Sequence, residues 1–238
     1  MNKIIAIILS ALMLTASFAF VSCDESSKKE NDIYLTLINK QNPVGADYTP
    51  TELADIDKEY TTGGKDIQLE KVTAEAAIKM LDAMKESGIN NVTITSGYRT
   101  YEYQQKLFDR YVADESAKQP TWSAEDVKAY VLTYSAYPGT SEHQSGLCMD
   151  LFTTDMEGLY NYGYETVKNP YDKGFAETDA YTWLCENAHK YGFILRFPED
   201  KTNITGYSYE SWHYRYVGVD VAAEIHDRGI TLEEYLEG

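Results

Sequence analysis

The chain is poor in residues that mark several protein classes. Of its 238 residues only three are cysteine and four are histidine. Cys23 belongs to a leader considered below, so Cys148 and Cys185 can form one disulfide at most, or stay as two free thiols. Basic residues are scarce: 21 Lys and Arg face 38 Asp and Glu, a net charge of -17 that argues against a nucleic-acid partner. Phe is sparse at 7, whereas Tyr reaches 21. That excess suits the wall of a groove for a polar ligand, or an ordinary tyrosine-rich surface. No internal repeat is visible, and the nearly continuous apolar run from Ile4 to Leu14 is too short to favour a membrane span.

That run follows the single basic residue Lys3 and leads to Phe20-Val21-Ser22-Cys23, the pattern of an export signal over residues 1–22. The last four residues look like a bacterial lipoprotein cleavage site, with Cys23 as the lipidated first mature residue. The chain would then be anchored to the outer face of the cytoplasmic membrane. Ordinary cleavage nearby would release a secreted protein instead. Residues 23–32 are charged and Ser-containing without apolar period, and read as a flexible tether. One domain, 33–238, remains.

Past the tether, 33–38 has the character of a short strand, and Asn42-Pro43-Val44-Gly45 that of a turn. Thr73 is placed to cap a helix through Ser87, with Ala77, Met80, Leu81 and Met84 on one face and Gly88 as its stop. A strand over 91–95 runs into Ser96-Gly97-Tyr98-Arg99, and a helix over about 101–112 follows. Ser123 with Asp126 predicts a capping box for a helix to about Tyr134. Further on, 150–153 reads as a strand, 154–177 as a loop or insertion, and 178–191 as a helix stopped by Gly192. Strands are expected at 193–197 and 212–217. Residues 220–236 read as helix in two pieces, split at Gly229 and re-capped by Thr231 with Glu234. Without regular strand–helix alternation a doubly wound sheet is excluded, and the class is α+β.

Chemistry concentrates in Ser141-Glu142-His143-Gln144-Ser145-Gly146-Leu147-Cys148-Met149-Asp150 and in Glu210-Ser211-Trp212-His213. Two imidazoles and a carboxylate make a three-ligand set for zinc that leaves a position for water. Glu210 supplies a carboxylate to take that water's proton. His143 and Asp150 stand an odd number of residues apart, which on a regular strand puts them on opposite faces. They share a metal only if the chain turns between them, as Gly146 permits. Glu210, three before His213, must lie in the loop entering its strand. Either motif alone reads more readily as a His and an acid on ordinary loops. Cys148 would share a strand face with Asp150, as a small buried thiol or a competitor for the metal. His189 and His226 read as helix-surface residues, Trp212 as wall and core, and Arg196 as the partner of some acidic neighbour.

Together, Ser141-x-His143-x-x-Gly146-x-x-x-Asp150 and Glu210-x-Trp212-His213 resemble the VanY-type D-alanyl-D-alanine carboxypeptidases, zinc peptidases of family M15. Ser96-Gly97-Tyr98-Arg99-Thr100-Tyr101-Glu102-Tyr103-Gln104, Tyr191-Gly192-Phe193-Ile194-Leu195-Arg196-Phe197-Pro198 and Ile204-Thr205-Gly206-Tyr207 extend the resemblance over nearly all the mature chain. The resemblance implies the Hedgehog/DD-peptidase fold, a small antiparallel sheet flanked by helices. It implies one Zn2+ on His143, Asp150 and His213, with Glu210 as general base and then acid. Arg99 would face the scissile carbonyl oxygen or a substrate carboxylate, and Gln104 and Ser141 would line the pocket. The implied activity is removal of C-terminal D-alanine from peptidoglycan stem peptides. An LD-carboxypeptidase of tetrapeptide stems and a non-catalytic wall-binding lipoprotein stand beside it. The sequence departs from the family pattern at Cys148, where Ala is common, at Ser211, where Pro is common, and at Thr140, where His is frequent.

Overall fold

A computed structural model describes residues 33–153 and 174–238. The leader, Cys23, the tether and most of the loop expected at 154–177 lie outside them. Two short strands, β1 (Leu53–Asp55) and β2 (Gln68–Glu70), pair antiparallel; neither was marked by an apolar alternation. β3 (Val92–Ser96), β4 (Cys148–Thr153), β5 (Phe193–Leu195) and β6 (His213–Tyr216) form an antiparallel sheet in the order β3-β4-β6-β5. A register shift between Ile94 and Ser96 bends the end of β3 where it meets Asp150.

α1 (Lys71–Glu86) leaves β2 directly. Its cap is Glu70 rather than Thr73: the Glu70 carboxylate accepts from Thr73 N at 3.1 Å and from Thr73 Oγ1 at 3.3 Å. Ala74, Ala77, Met80, Leu81 and Met84 are buried at helical spacing and join Ile94, Met149, Leu151 and Tyr214 of the sheet in the main core. Full burial of each large side chain contributes about 1.5–3 kcal/mol. α2 (Tyr101–Lys118) runs past the expected end at 112, through an acidic stretch without apolar period. α3 (Ala124–Val131), capped by Ser123, packs on α2 through Phe108, Val127 and Val131 and ends short of Tyr134.

α4 (Asp179–Asn187) is capped by Thr178 and tightens into a 3-10 turn over Ala188–Tyr191, ended by Gly192. A short α5 (Thr202–Thr205) precedes the loop into β6. α6 (Val219–Arg228) and α7 (Leu232–Glu237) follow as expected, with the Thr231–Glu234 capping box formed. Ala222, Ile225 and Leu232 bury against Ile194 and Val217 in a second core.

Residues 33–38 form no strand. The carbonyls of Tyr34 and Thr36 accept from Arg215 Nη2 at 2.9 and 2.8 Å, so they serve a buried guanidinium instead of a ladder. Cys148 and Cys185 are both free. Among the described residues no helix is long and apolar enough to cross a membrane.

Candidate metal centre

The centre sits at one end of the sheet. Asp150 of β4 and His213 of β6 are cross-strand partners. His143 reaches the same place from a 3-10 turn, Glu142–Ser145, that ends at Gly146 with φ 69°. That left-handed residue is the turn the seven-residue offset demands. A Cβ there would also stand 2.9 Å from Glu70 N, so no other residue fits without movement. Glu210 lies in the loop before β6. Its backbone N–H donates to Phe197 O, and its carbonyl accepts from His213 N.

Each imidazole has one nitrogen fixed from behind. His143 Nδ1 donates to Gly97 O at 2.7 Å, which turns Nε2 toward Asp150 Oδ2 at 3.3 Å. His213 Nε2 donates to Glu142 Oε1 at 2.9 Å, which turns Nδ1 toward Asp150 Oδ1 at 2.9 Å and Glu210 Oε2 at 3.7 Å. The two rings meet edge to face with centroids 4.9 Å apart. This fixing of the far nitrogen is the arrangement that orients metal-binding imidazoles. Cys148, fully buried on the Asp150 face of β4, joins them. Among the described residues, one set of three donors lies within mutual reach: His143, Cys148 and His213, with ligand atoms within 4.8 Å of one another. Asp150 touches both imidazoles, but with a different oxygen on each. The donor chemistry therefore fits zinc, which takes imidazole, carboxylate and thiolate alike.

The charges support one another. Burial alone would pull His213 down, but Cys148, Asp150 and Glu142 more than offset it and hold the ring well above the ordinary histidine range. Burial pushes Asp150 up, and His143, His213 and Arg99 more than reverse that. Burial drives Glu210 up to about 7; Asp150 adds to the rise while His213, His143 and Arg99 oppose it.

Arg99 is not turned wholly toward the cleft. Its Nη2 donates to Asp150 Oδ2 at 2.8 Å and its Nε to Ser96 Oγ at 2.9 Å, while its guanidinium still lines the opening. The cleft holds about 1140 Å³ and is lined by Gln104, Ser141, Trp212 and seven tyrosines, so many of the tyrosines serve a groove. Gln104 is buried, with Nε2 on Ala136 O at 2.8 Å and Oε1 without a protein partner. His189 is not a plain surface residue: it stacks on His226 with centroids 3.8 Å apart, away from the centre.

Behind His213 stands a buried ionic group that no local motif announced. Glu142 Oε2 accepts from Arg196 Nε at 2.9 Å and Arg215 Nη1 at 3.1 Å. Arg196 also pairs with both oxygens of Glu233 in α7, at 2.9 and 2.6 Å. Both guanidiniums are wholly buried. Arg196 thus has the acidic partners expected of it, and Glu142, lodged between two motif residues, orients a donor imidazole.

The sequence profile of VanY, D-alanyl-D-alanine carboxypeptidase, matches residues 66–219, a span that contains every donor named above. The chain belongs to the VanY family. A D-alanyl-D-alanine carboxypeptidase of Enterococcus faecalis is 38% identical over 209 residues, 87% of this chain and 67% of that one. Among solved structures, a mutant of a vancomycin-resistance D,D-pentapeptidase VanY in complex with Zn(II) is 38% identical and superposes with a TM-score of 0.66, covering 86% of this chain and 99% of that one. The LdcB LD-carboxypeptidase superposes with a TM-score of 0.69 at 34% identity, covering 88% of each chain. These VanY likenesses bear out the α+β fold with a small antiparallel sheet flanked by helices. The matched span stops before Glu233.

Proposed function

We propose that the protein is a zinc carboxypeptidase that removes C-terminal D-alanine from peptidoglycan stem peptides. It would act outside the cytoplasmic membrane, held near the wall by a lipid on Cys23. One observation carries the reading: His143, Asp150 and His213 come together from separate segments, with Glu210 beside His213 in an open cleft. The VanY relatives that act on D-alanyl-D-alanine or hold Zn(II) support it.

His143, Asp150 and His213 would hold the zinc, which when bound polarises the scissile carbonyl and acidifies water. Glu210 takes the proton of the attacking water and returns it to the leaving amine. Its partly open position, 18% exposed, lets it reach solvent in the cleft. Arg99 offers a guanidinium fork to the carbonyl oxygen as charge develops there, or to the terminal carboxylate. Gln104 and Ser141 would line the pocket that receives the peptide.

Glu210 must be deprotonated to act as base, so activity rises with pH through its titration. A dication beside it can only lower the value of about 7 that burial gives it. The acidic limb of kcat/KM is therefore expected at or below about pH 7, and a limb a unit or more above would remove Glu210 as the base.

Specificity is tested by incubating the purified protein and zinc with muropeptides ending in D-Ala-D-Ala and with tetrapeptides ending in one D-Ala, following loss of one alanine by mass spectrometry. Loss from the pentapeptide is the expected result. Loss from the tetrapeptide alone makes the protein an LD-carboxypeptidase, as its likeness to LdcB would allow. Cleavage of neither, by protein that contains zinc, leaves the wall-binding reading.

A further inference from the structure

We propose that Cys148 is a fourth protein ligand at this metal centre, giving the chain a donor set of two imidazoles, a carboxylate and a thiolate. The inference rests on the zinc reading above and concerns a position where this sequence departs from the family pattern. Its basis is position. Cys148 and Asp150 lie two apart on β4 and so share one face of the strand. The Cys148 sulfur and one nitrogen each of His143 and His213 lie within 4.8 Å of one another. Small side-chain rotations bring such a set to the roughly 3.5 Å spacing of donors around one tetrahedral zinc, with bonds of about 2.0–2.3 Å.

Three further features favour the thiol. It is wholly buried and forms no disulfide, so it is neither consumed nor exposed to competing chemistry. Both imidazoles have their far nitrogens tied down by Gly97 O and Glu142, so the near ones stay turned inward. The Asp150 carboxylate is shared, with Oδ2 drawn to Arg99 and Oδ1 to His213, so it is the donor most readily supplemented by another. On coordination the thiol exchanges its S–H bond for a sulfur–metal bond and releases the proton to solvent through the cleft. With four protein donors bound the site is closed. The consequence is a resting form in which Cys148 must leave before water or a substrate oxygen takes its place.

Cobalt(II) titration of the full protein tests this without relying on activity. The expected result is a near-ultraviolet thiolate-to-cobalt charge-transfer band beside the visible d–d bands. The band should be lost in both Cys148→Ser and Cys148→Ala and kept in Cys185→Ala, which alters only the exposed thiol. Zinc should leave the Cys148→Ala protein for a chelator at least about tenfold faster than it leaves the wild type, since even outer partners of a site are worth 10- to 100-fold. Visible d–d bands without the charge-transfer band, or a band that survives both Cys148 substitutions, would overturn the thiol as ligand while leaving the metal centre standing. Failure to take up cobalt at all would overturn the metal reading and this inference with it. Cys148→Ser nearly preserves size and Cys148→Ala removes only the sulfur, so loss of fold does not imitate the result; a circular-dichroism spectrum checks each.

Discussion

Glu210→Gln is expected to lower kcat by roughly 10²- to 10⁴-fold, the range that one positioned acid–base group supplies. Zinc content and fold should not change. The side chain is held at its tip by little: Oε2 stands 3.7 Å from His213 Nδ1, and the loop is fixed by the backbone of Glu210 on Phe197 O and His213 N. An isosteric amide keeps those backbone bonds and removes only the ability to take a proton. The measurement is single-turnover cleavage of a D-Ala-D-Ala peptide with metal analysis of the same samples. A variant that keeps activity within about threefold would take the proton-transfer role from Glu210. A variant that loses zinc along with activity would make it a ligand instead.

The other large effect belongs to a residue far from any peptide. Arg196→Leu is expected to cost about 3–5 kcal/mol, the usual penalty for removing one partner from a buried ionic group. It takes one cation from a set of two guanidiniums and two carboxylates and leaves Glu233 with Asn39 as its remaining polar partner of the group. Urea unfolding reads the loss as a shifted midpoint. Arg196→Leu combined with Glu233→Leu should recover part of it, because no carboxylate in α7 is then left uncompensated. A single-variant loss below 1 kcal/mol, or a double variant no better than the single one, would count against the group as a stability element. Its pH dependence has a definite sign. Burial would raise Glu142, but Arg196, Arg215 and His213 more than reverse this and hold it well below the usual carboxylate range. A depressed folded-state value stabilises above the unfolded value of about 4.3. That contribution fades progressively as pH falls below the unfolded value and is gone once acid carries Glu142 through its lower folded value.

What could be read in advance follows from range of interaction. Caps and stops are local, so Thr231 with Glu234, Gly192 and Gly229 were legible, as was the apolar face of α1. His143, Asp150 and His213 were legible as two spaced motifs that the fold brings together, and Gly146 supplied the turn their spacing required. Thr73 was mistaken for a cap because the helix starts earlier: Glu70 caps it by accepting from Thr73 N–H, which puts Thr73 inside the first turn. The apolar residues at 33–38 imitate a strand, yet their carbonyls answer to Arg215, which lies far along the sequence. The pairing of Glu142 with Arg196 and Glu233 is likewise a long-range matter. A buried charge leaves no periodic mark, so nothing local separated Glu142 from an ordinary loop acid.

The placement of Glu233 ties the centre to a helix that supplies none of its donors. His143, Asp150, Glu210 and His213 all precede Glu233 in the sequence. Until α7 arrives, Arg196 and Arg215 share the single carboxylate of Glu142, which must also hold His213. Without α7 the group behind the centre would carry an unbalanced positive charge, which Glu233 neutralises when that helix docks. Docking of α7 and balance of charge behind His213 are thus one event, although α7 supplies no donor to the centre.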